Sequence, residues 1–192
     1  MNVERYMDRR AVTVLPDAPS AEVRGLMDEN RFSIVLVVAS DGRLVGFVTR
    51  ASLKGADDDL SVERVAHPVR FAVSPEDTLE KAALIMLENR LVVLPVTVEE
   101  RLVGVITQGE ILRGLASGLG IGLEGTRLTV WARTDSDDLY RVLQVLREHN
   151  VRLVSLTQGE KDGSRREVIL RVQGIDDRER LREDLEASLK EG

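Results

Sequence analysis

The stretch that decides the fold is LVVLPVTVEERLVGVITQGE, residues 91–110. It has the pattern of an apolar strand, a charged turn and a second apolar strand that runs into a helix. A looser copy, FSIVLVVASDGRLVGFVTRAS, occupies residues 32–52. The upstream residues repeat at a constant offset of 59, with Pro16, Met27 and Asn30 returning as Pro75, Met86 and Asn89. A fixed register over that length indicates one structural unit used twice.

Composition limits the classes of protein to which the sequence can belong. The 192 residues are 43% hydrophobic, 31% charged and 3% aromatic, which is typical of a globular protein with an aliphatic core. The absence of cysteine excludes disulfides and thiolate chemistry. A net charge of −6 argues against nucleic-acid binding, because phosphate neutralisation needs a basic face. With no long apolar run and no secretory signal pattern, we expect a cytoplasmic protein without a membrane partner.

The repeat sets the predicted domain organisation. We predict repeat 1 at residues 1–56, repeat 2 at 57–113, a flexible Gly-rich linker at 114–125 and a separate domain at 126–192. Each repeat has the order β-α-β-β-α, which predicts a mixed α/β (α+β) fold. The linker glycines lack the preceding strand that a dinucleotide fingerprint requires, so a hinge is favoured over a phosphate cradle.

The C-terminal domain differs from the repeats in its hydrophobic pattern. Alternating strands are predicted at 128–132, 151–156 and 168–172, with an amphipathic helix at 137–150 and a final helix carrying Leu181, Leu185 and Leu189. That order is β-α-β-β-α, a ferredoxin-like plan without a clear fourth strand. Three strands and two helices make a thin domain. We therefore expect it to pack on the first domain or on a second chain.

Catalytic motifs are missing from the sequence. His67 and His149 are the only histidines, and neither has metal-ligand spacing. No nucleophile elbow or Walker loop is present. The acidic run at 57–59 has the pattern of a solvated loop. The sequence therefore predicts a binding or regulatory protein, not an enzyme, with no metal and no required cofactor.

The duplicated unit resembles the cystathionine-β-synthase (CBS) domain, and two in tandem look like the usual CBS pair. The residues that carry the resemblance are the entry strands 12–14 and 71–73, the Leu94-Pro95-Val96 strand, and the segments Gly46-Phe47-Val48-Thr49 and Gly104-Val105-Ile106-Thr107. In that family two clefts between the repeats bind adenosine-type ligands. The resemblance implies AMP, ADP, ATP or S-adenosylmethionine as the ligand.

The resemblance also implies which residues form each cleft, since one repeat's Thr loop faces the other repeat's entry strand. The first cleft would combine Gly46, Thr49 and Ser52 with Arg70, Phe71 and Ala72. The second would combine Gly104, Thr107 and Glu110 with Val12 and Thr13. A carboxylate three residues after the Thr grips the ribose in this family; Ser52 lacks it and Glu110 keeps it, which favours the second cleft. In the alternative interpretation both threonines only satisfy strand-end backbone groups.

The C-terminal part resembles an ACT domain, a small-molecule sensor that often binds amino acids. Asp137 stands where that family has Gly, and Arg152 where it often has Asn, so a dimerisation role is favoured over amino-acid binding. The CBS–ACT order resembles the bacterial acetoin-utilisation type. We expect a regulatory adenosine-nucleotide sensor that forms homodimers through apolar helix positions such as Ile111, Leu112 and Leu115. The alternative is a dimerisation scaffold with degenerate clefts. The regulated partner is unknown.

Overall fold

The computed structural model describes residues 1–190, in a chain that divides into two compact units, Met1–Gly114 and Leu115–Gly192. In the part of the chain that is described, no helix has the length and apolar character needed to cross a bilayer.

The first unit contains both repeats of the sequence. Its strands and helices are β1 Thr13–Val14, α1 Ser20–Asn30, β2 Ile34–Val38, β3 Leu44–Thr49, α2 Leu79–Asn89, β4 Val93–Val98, β5 Arg101–Thr107 and α3 Gln108–Gly118. Strand β1 runs parallel to β2, and β2 pairs with β3 antiparallel. In the second repeat β4 and β5 form the equivalent hairpin, and both hairpins carry a register shift at the same place. The duplication in sequence is therefore a duplication of structure.

The entry strands are shorter than the sequence predicts. The first is only Thr13–Val14, and the second is a single parallel bridge between Val73 and Val96. Val14 and Val73 are buried under their hairpins, whereas Val12 and Phe71 are 39% and 38% exposed.

The two repeats are tied crosswise by the segments that precede them. Near the N-terminus, Val3 N–H donates to the Asp77 carbonyl at 2.8 Å, and Asp8 and Val105 exchange backbone hydrogen bonds of 2.8 and 2.9 Å. In the matching position of the other repeat, Phe47 and His67 exchange bonds of 2.9 and 2.8 Å. Each entry segment thus lies against the opposite repeat, which is the arrangement that two inter-repeat clefts require.

The second unit has the ferredoxin-like order predicted from the sequence. Its elements are β6 Thr126–Arg133, α4 Asp138–Glu148, β7 Arg152–Asp162, β8 Arg165–Gln173 and α5 Arg178–Lys190. The antiparallel sheet has the order β6-β8-β7, and no fourth strand occurs among residues 126–190. Both helices cover one face, where Val142, Leu146, Leu170, Leu181 and Leu185 form the core.

The Gly-rich segment is more ordered than a free linker. Helix α3 continues to Gly118, so the first residues of the predicted 114–125 segment are helical. Beyond it, the Ser155 hydroxyl donates to the Leu119 carbonyl at 2.8 Å, and the Arg171 guanidinium donates to the Leu123 carbonyl at 3.3 Å. Side chains of β7 and β8 therefore hold residues 119–123 in place.

Candidate functional site: two clefts between the repeats

The second cleft is a cavity of about 330 Å³ between the entry segment of repeat 1 and the Thr loop of repeat 2. It brings together Val12, Thr107 and Glu110, three residues predicted to share this site. The predicted residues Thr13 and Gly104 are not part of its wall. The remaining lining residues are Asp8, Arg10, Ala11, Arg31, Phe32, Ser33, Ile34, Leu36, Val92, Val93 and Val105.

The carboxylate of Glu110 is fixed at the start of helix α3. The backbone N–H of Thr107 donates to Glu110 Oε2 at 3.0 Å, and the Thr107 hydroxyl donates to the same oxygen. The carboxylate thereby accepts a hydrogen bond from the Thr107 N–H, which has no partner within the helix. Its other oxygen, Oε1, lies 3.9 Å from the Arg113 guanidinium, and the side chain is 20% exposed. A pre-oriented acceptor oxygen therefore lies in the wall of the cleft.

Positive charge also lines this cleft. Arg31 ends helix α1 in the left-handed conformation, with φ of 56°, and lies in the cleft wall. Arg10 lies beside it in the wall and has a side chain that is 94% exposed. Guanidinium groups bind phosphate oxygens in a bidentate geometry. The cleft thus offers both an acceptor for hydroxyls and donors for an anion.

The first cleft is larger, at about 460 Å³, and chemically different. Arg70 and Phe71 line it as predicted, together with Arg90, but Gly46, Thr49, Ser52 and Ala72 are not part of its wall. No carboxylate lines it. Its other lining residues are Ile34, Leu36, Phe47, His67, Pro68, Val69, Asn89, Leu91, Val92, Val93 and Pro95.

Ser52 and Thr49 satisfy one another in a closed turn. Thr49 N–H donates to Ser52 Oγ at 3.0 Å, Ser52 N–H donates to Thr49 Oγ1 at 3.1 Å, and the Ser52 hydroxyl donates to the Thr49 carbonyl at 3.0 Å. These bonds use the Ser52 hydroxyl and the backbone N–H groups of Thr49 and Ser52 as donors within the turn. Bonds of this kind favour the alternative interpretation for the first repeat, in which the Thr loop satisfies strand-end backbone groups.

Gly46 and Gly104 are predicted to lie beside a ligand, but each of them lies against a backbone carbonyl of the protein itself. A Cβ atom at position 46 would lie 2.7 Å from the His67 carbonyl oxygen, and one at position 104 would lie 2.8 Å from the Asp8 carbonyl oxygen. Real Cβ atoms essentially never approach a heavy atom so closely. Gly46 and Gly104 therefore permit the crosswise ties between the repeats.

Several lining residues were not predicted from the sequence. Ile34, Leu36, Val92 and Val93 line both clefts, so the clefts share an apolar wall. His67 was given no role from the sequence, yet it lines the first cleft, and its ring centroid lies 5.4 Å from that of Phe47. The constant offset of the repeat carried the missing signal. Because Ile34 and Val93 are equivalent positions at the offset of 59, a place for one in the shared wall implies a place for the other.

Comparison with known proteins identifies the family. The CBS domain model matches residues 3–59 and 62–117, and the chain belongs to the CBS domain family with two copies in tandem. Over 108 residues it is 30% identical to the osmoprotectant import ATP-binding protein OsmV of Salmonella typhimurium, which covers 56% of this chain and 28% of that protein. The chain thus spans 28% of the length of that protein and 21% of the inosine-5'-monophosphate dehydrogenase of Methanocaldococcus jannaschii, another relative that it matches.

Solved structures support the same assignment. A CBS domain pair/ACT domain protein from Thermotoga maritima is 28% identical, with a TM-score of 0.58, over 62% of this chain and 99% of that one. The cytosolic domain of the Mg²⁺ channel MgtE, solved in complex with ATP, is 26% identical, with a TM-score of 0.54, over 59% and 48%. CBS-domain pairs are typically regulatory modules. Within residues 1–190 no cluster of three or more potential metal ligands occurs.

Proposed function

We propose that this protein is a regulatory sensor of an adenosine-type ligand, which binds in the second cleft. The observation that carries the proposal is the meeting of Thr107, Glu110 and Arg31 in one cavity of about 330 Å³. That volume falls within the range of small-molecule sites, roughly 300–1,000 Å³. The ATP complex of the MgtE cytosolic domain supports this ligand class. AMP, ADP, ATP and S-adenosylmethionine are the candidates.

Each part of the cleft suits one part of such a ligand. Glu110 Oε1 accepts ribose hydroxyls, because Oε2 is already held by Thr107. Arg31 and Arg10 pair with phosphates. The apolar side chains of the shared wall contact the adenine ring. The first cleft, which has arginines but no carboxylate in its wall, binds the same ligand less tightly or binds an anion without a ribose.

A route from the cleft to the second unit follows from helix α3. This helix starts next to Glu110 and ends at Gly118, and the next carbonyl, that of Leu119, accepts the Ser155 hydroxyl. We propose that the second unit is an ACT-like domain and that ligand binding shifts the population of its conformations. Ser155→Ala should therefore reduce the ligand-induced change in amide hydrogen exchange in β7 without changing the ligand's Kd.

The process that the sensor regulates, its location in the cell and its oligomeric state are also proposed. The sequence resemblance to acetoin-utilisation CBS–ACT proteins suggests that it regulates that process, in the cytoplasm, as a homodimer. A dimerisation scaffold with degenerate clefts is the second candidate function. The closed Thr49–Ser52 turn favours it, since the Ser52 hydroxyl and two backbone N–H groups of this loop bond within the loop, and no carboxylate stands at position 52.

Calorimetry separates the sensor from the scaffold. Wild type, Thr107→Ala and the matched Thr49→Ala variant are titrated with AMP, ADP, ATP and S-adenosylmethionine. The sensor predicts saturable binding that weakens about tenfold or more in Thr107→Ala. This substitution removes the hydroxyl that holds the Glu110 carboxylate in place, and a hydrogen bond to a charged group contributes about 1.5–3 kcal/mol. Thr49→Ala should bind with nearly the wild-type Kd. No heat at millimolar ligand, with an unchanged thermal midpoint, would favour the scaffold.

A further inference from the structure

The duplication allows the two clefts to be compared position by position. At the constant offset of 59, Arg31 corresponds to Arg90. Each of these arginines follows the first helix of its repeat in the left-handed conformation, with φ of 56° and 54°. Arg31 lines the second cleft and Arg90 lines the first. One cation is therefore common to both clefts, and the differences between them lie in the other lining residues.

The polar residues in the wall of the second cleft have mostly apolar or aromatic counterparts in the first. The pairs that line their respective clefts, with the second cleft given first, are Asp8 and His67, Arg10 and Val69, Val12 and Phe71, and Ser33 and Val92. Across the turn, where the offset is 58, Val105 corresponds to Phe47. One exchange runs the other way, since Ala11 corresponds to Arg70. The same architecture thus carries two different surfaces.

Aromatic side chains are concentrated in the first cleft. Two of the three phenylalanines of the chain, Phe47 and Phe71, line it. The Phe47 ring centroid lies 5.4 Å from that of His67, and the Phe71 side chain is 38% exposed. Aromatic rings pack favourably against other rings in offset or edge-to-face contact, and exposed apolar surface in a groove is typical of a binding site. A flat aromatic body fits this wall.

The charge of the first cleft is of one sign. Arg70 and Arg90 are exposed, and within residues 1–190 neither guanidinium has a hydrogen-bond or ion-pair partner. Guanidinium groups bind carboxylates in a bidentate geometry. The cleft wall contains no aspartate or glutamate, so an ammonium group has no partner there and a ribose has no carboxylate acceptor. These features favour an anion over an amino acid, S-adenosylmethionine or a nucleoside.

We infer that the first cleft binds an aromatic carboxylate, whose flat ring lies against Phe47, Phe71 and the shared apolar wall and whose acid group pairs with the arginines of the cleft. The cavity of about 460 Å³ is large enough for such a molecule. The inference narrows the anion without a ribose that is proposed for this cleft, and it does not rest on nucleotide binding in the second cleft. The chain then responds to two ligands of different chemistry.

Three naphthalene derivatives of the same shape test the charge preference. The probe is 2-naphthoate, with 2-naphthamide as the neutral counterpart and 2-naphthylmethylamine as the cationic one. Calorimetry with the full chain should show saturable binding of the naphthoate, at least fivefold weaker binding of the amide and no binding of the amine. In the ¹⁵N-labelled protein the naphthoate should move the amide resonances of Val69 and Phe71, which line only the first cleft.

Matched double variants assign the site. Arg70→Gln with Arg90→Gln should weaken naphthoate binding at least fivefold, since each exposed ion pair contributes a factor of up to roughly five. Arg10→Gln with Arg31→Gln removes the two arginines of the second cleft and should leave naphthoate binding unchanged.

Phe71→Val tests the aromatic contact separately from the charge. This variant introduces at position 71 the residue type that the second cleft carries at position 12. Loss of one ring contact should weaken naphthoate binding about threefold or more. Because Phe71 is partly exposed, we expect the variant to fold, and its thermal midpoint provides the check.

The outcomes separate this inference from the nucleotide site. Equal affinity for the naphthoate and the amide, an equal loss in the two double variants, or no saturable binding at millimolar naphthoate would overturn it. So would AMP that moves the Val69 and Phe71 resonances at lower concentration than naphthoate does. If AMP fails to bind while naphthoate behaves as expected, the nucleotide proposal alone is wrong.

Discussion

At the scale of single residues, buried charge is concentrated at one place in the second unit. Asp138 is 1% exposed and accepts bonds from the Arg133 backbone N–H at 2.9 Å and from the Arg133 guanidinium at 3.0 and 2.7 Å. The Arg133 side-chain hydrogen bonds hold the pKa of the Asp138 carboxyl well below its ordinary value. This pair fixes the end of β6 to the start of α4.

Asp138→Asn tests this pair. An aspartate with a depressed folded-state pKa contributes stability above its unfolded pKa, about 3.9, and that contribution is lost as pH falls below it. We expect Asp138→Asn to lower the free energy of unfolding by about 1–3 kcal/mol at pH 7. The difference from wild type should shrink below about pH 4. Urea unfolding at a series of pH values measures both, and a difference independent of pH would contradict the assignment.

At the scale of secondary-structure elements, the two repeats end their first helices differently. Arg50 donates from Nε to the Phe32 carbonyl at 2.9 Å and from a terminal nitrogen to the Met27 carbonyl at 2.6 Å, and also pairs with Asp28. Its counterpart Gln108 donates only to the Leu91 carbonyl, at 3.1 Å. A cation at the C-terminal end of a helix interacts favourably with the helix dipole. Helix α1 is therefore capped more firmly than α2.

We expect Arg50→Ala to destabilise the protein by about 1–2 kcal/mol and Gln108→Ala by about half as much or less. The difference arises from the number of side-chain hydrogen bonds that each substitution removes. Thermal unfolding of the two variants beside wild type provides the comparison. Equal losses of stability in the two variants would show that the Arg50 bonds to the Met27 carbonyl and to Asp28 contribute nothing.

The sequence predicted the elements better than it predicted their contacts. The fixed offset and the alternating patterns were enough for both hairpins, for their helices and for the β-α-β-β-α order of the second unit. The crosswise ties, between Asp8 and Val105 and between His67 and Phe47, could not be predicted. They join residues about 100 and 20 positions apart through backbone groups, which every residue carries whatever its side chain. For the same reason Gly46 and Gly104 were interpreted as ligand contacts, although steric closeness to the chain's own carbonyls explains them.

At the scale of the whole molecule, apolar side chains remain exposed on the helices of the first unit. Leu84, Leu87 and Leu112 are 55%, 74% and 67% exposed, whereas Ile111, also considered for a dimer contact, is 5% exposed and belongs to the core. Exposed leucines on helices are typical of a helical interface between subunits. They support the proposed homodimer.

Leu112→Asp should convert the dimer to monomer, because it places a charge among the apolar side chains proposed to form the interface. Val98→Asp, at an exposed hairpin residue of the same unit, is the matched control and should leave the dimer intact. Sedimentation velocity over a range of concentrations measures the mass of each variant. A wild-type monomer, or a Leu112→Asp dimer of unchanged affinity, would contradict this assignment.

The measurement that tests the central proposal most directly is amide chemical-shift mapping of the ¹⁵N-labelled protein during titration with ATP. If the second cleft is the nucleotide site, the Thr107 and Glu110 resonances move saturably at low ligand concentration, together with Arg31. Thr49 and Ser52 should move less, or only at much higher concentration. Movement at Thr49 and Ser52 first, or no movement at either Thr loop, would contradict the proposal.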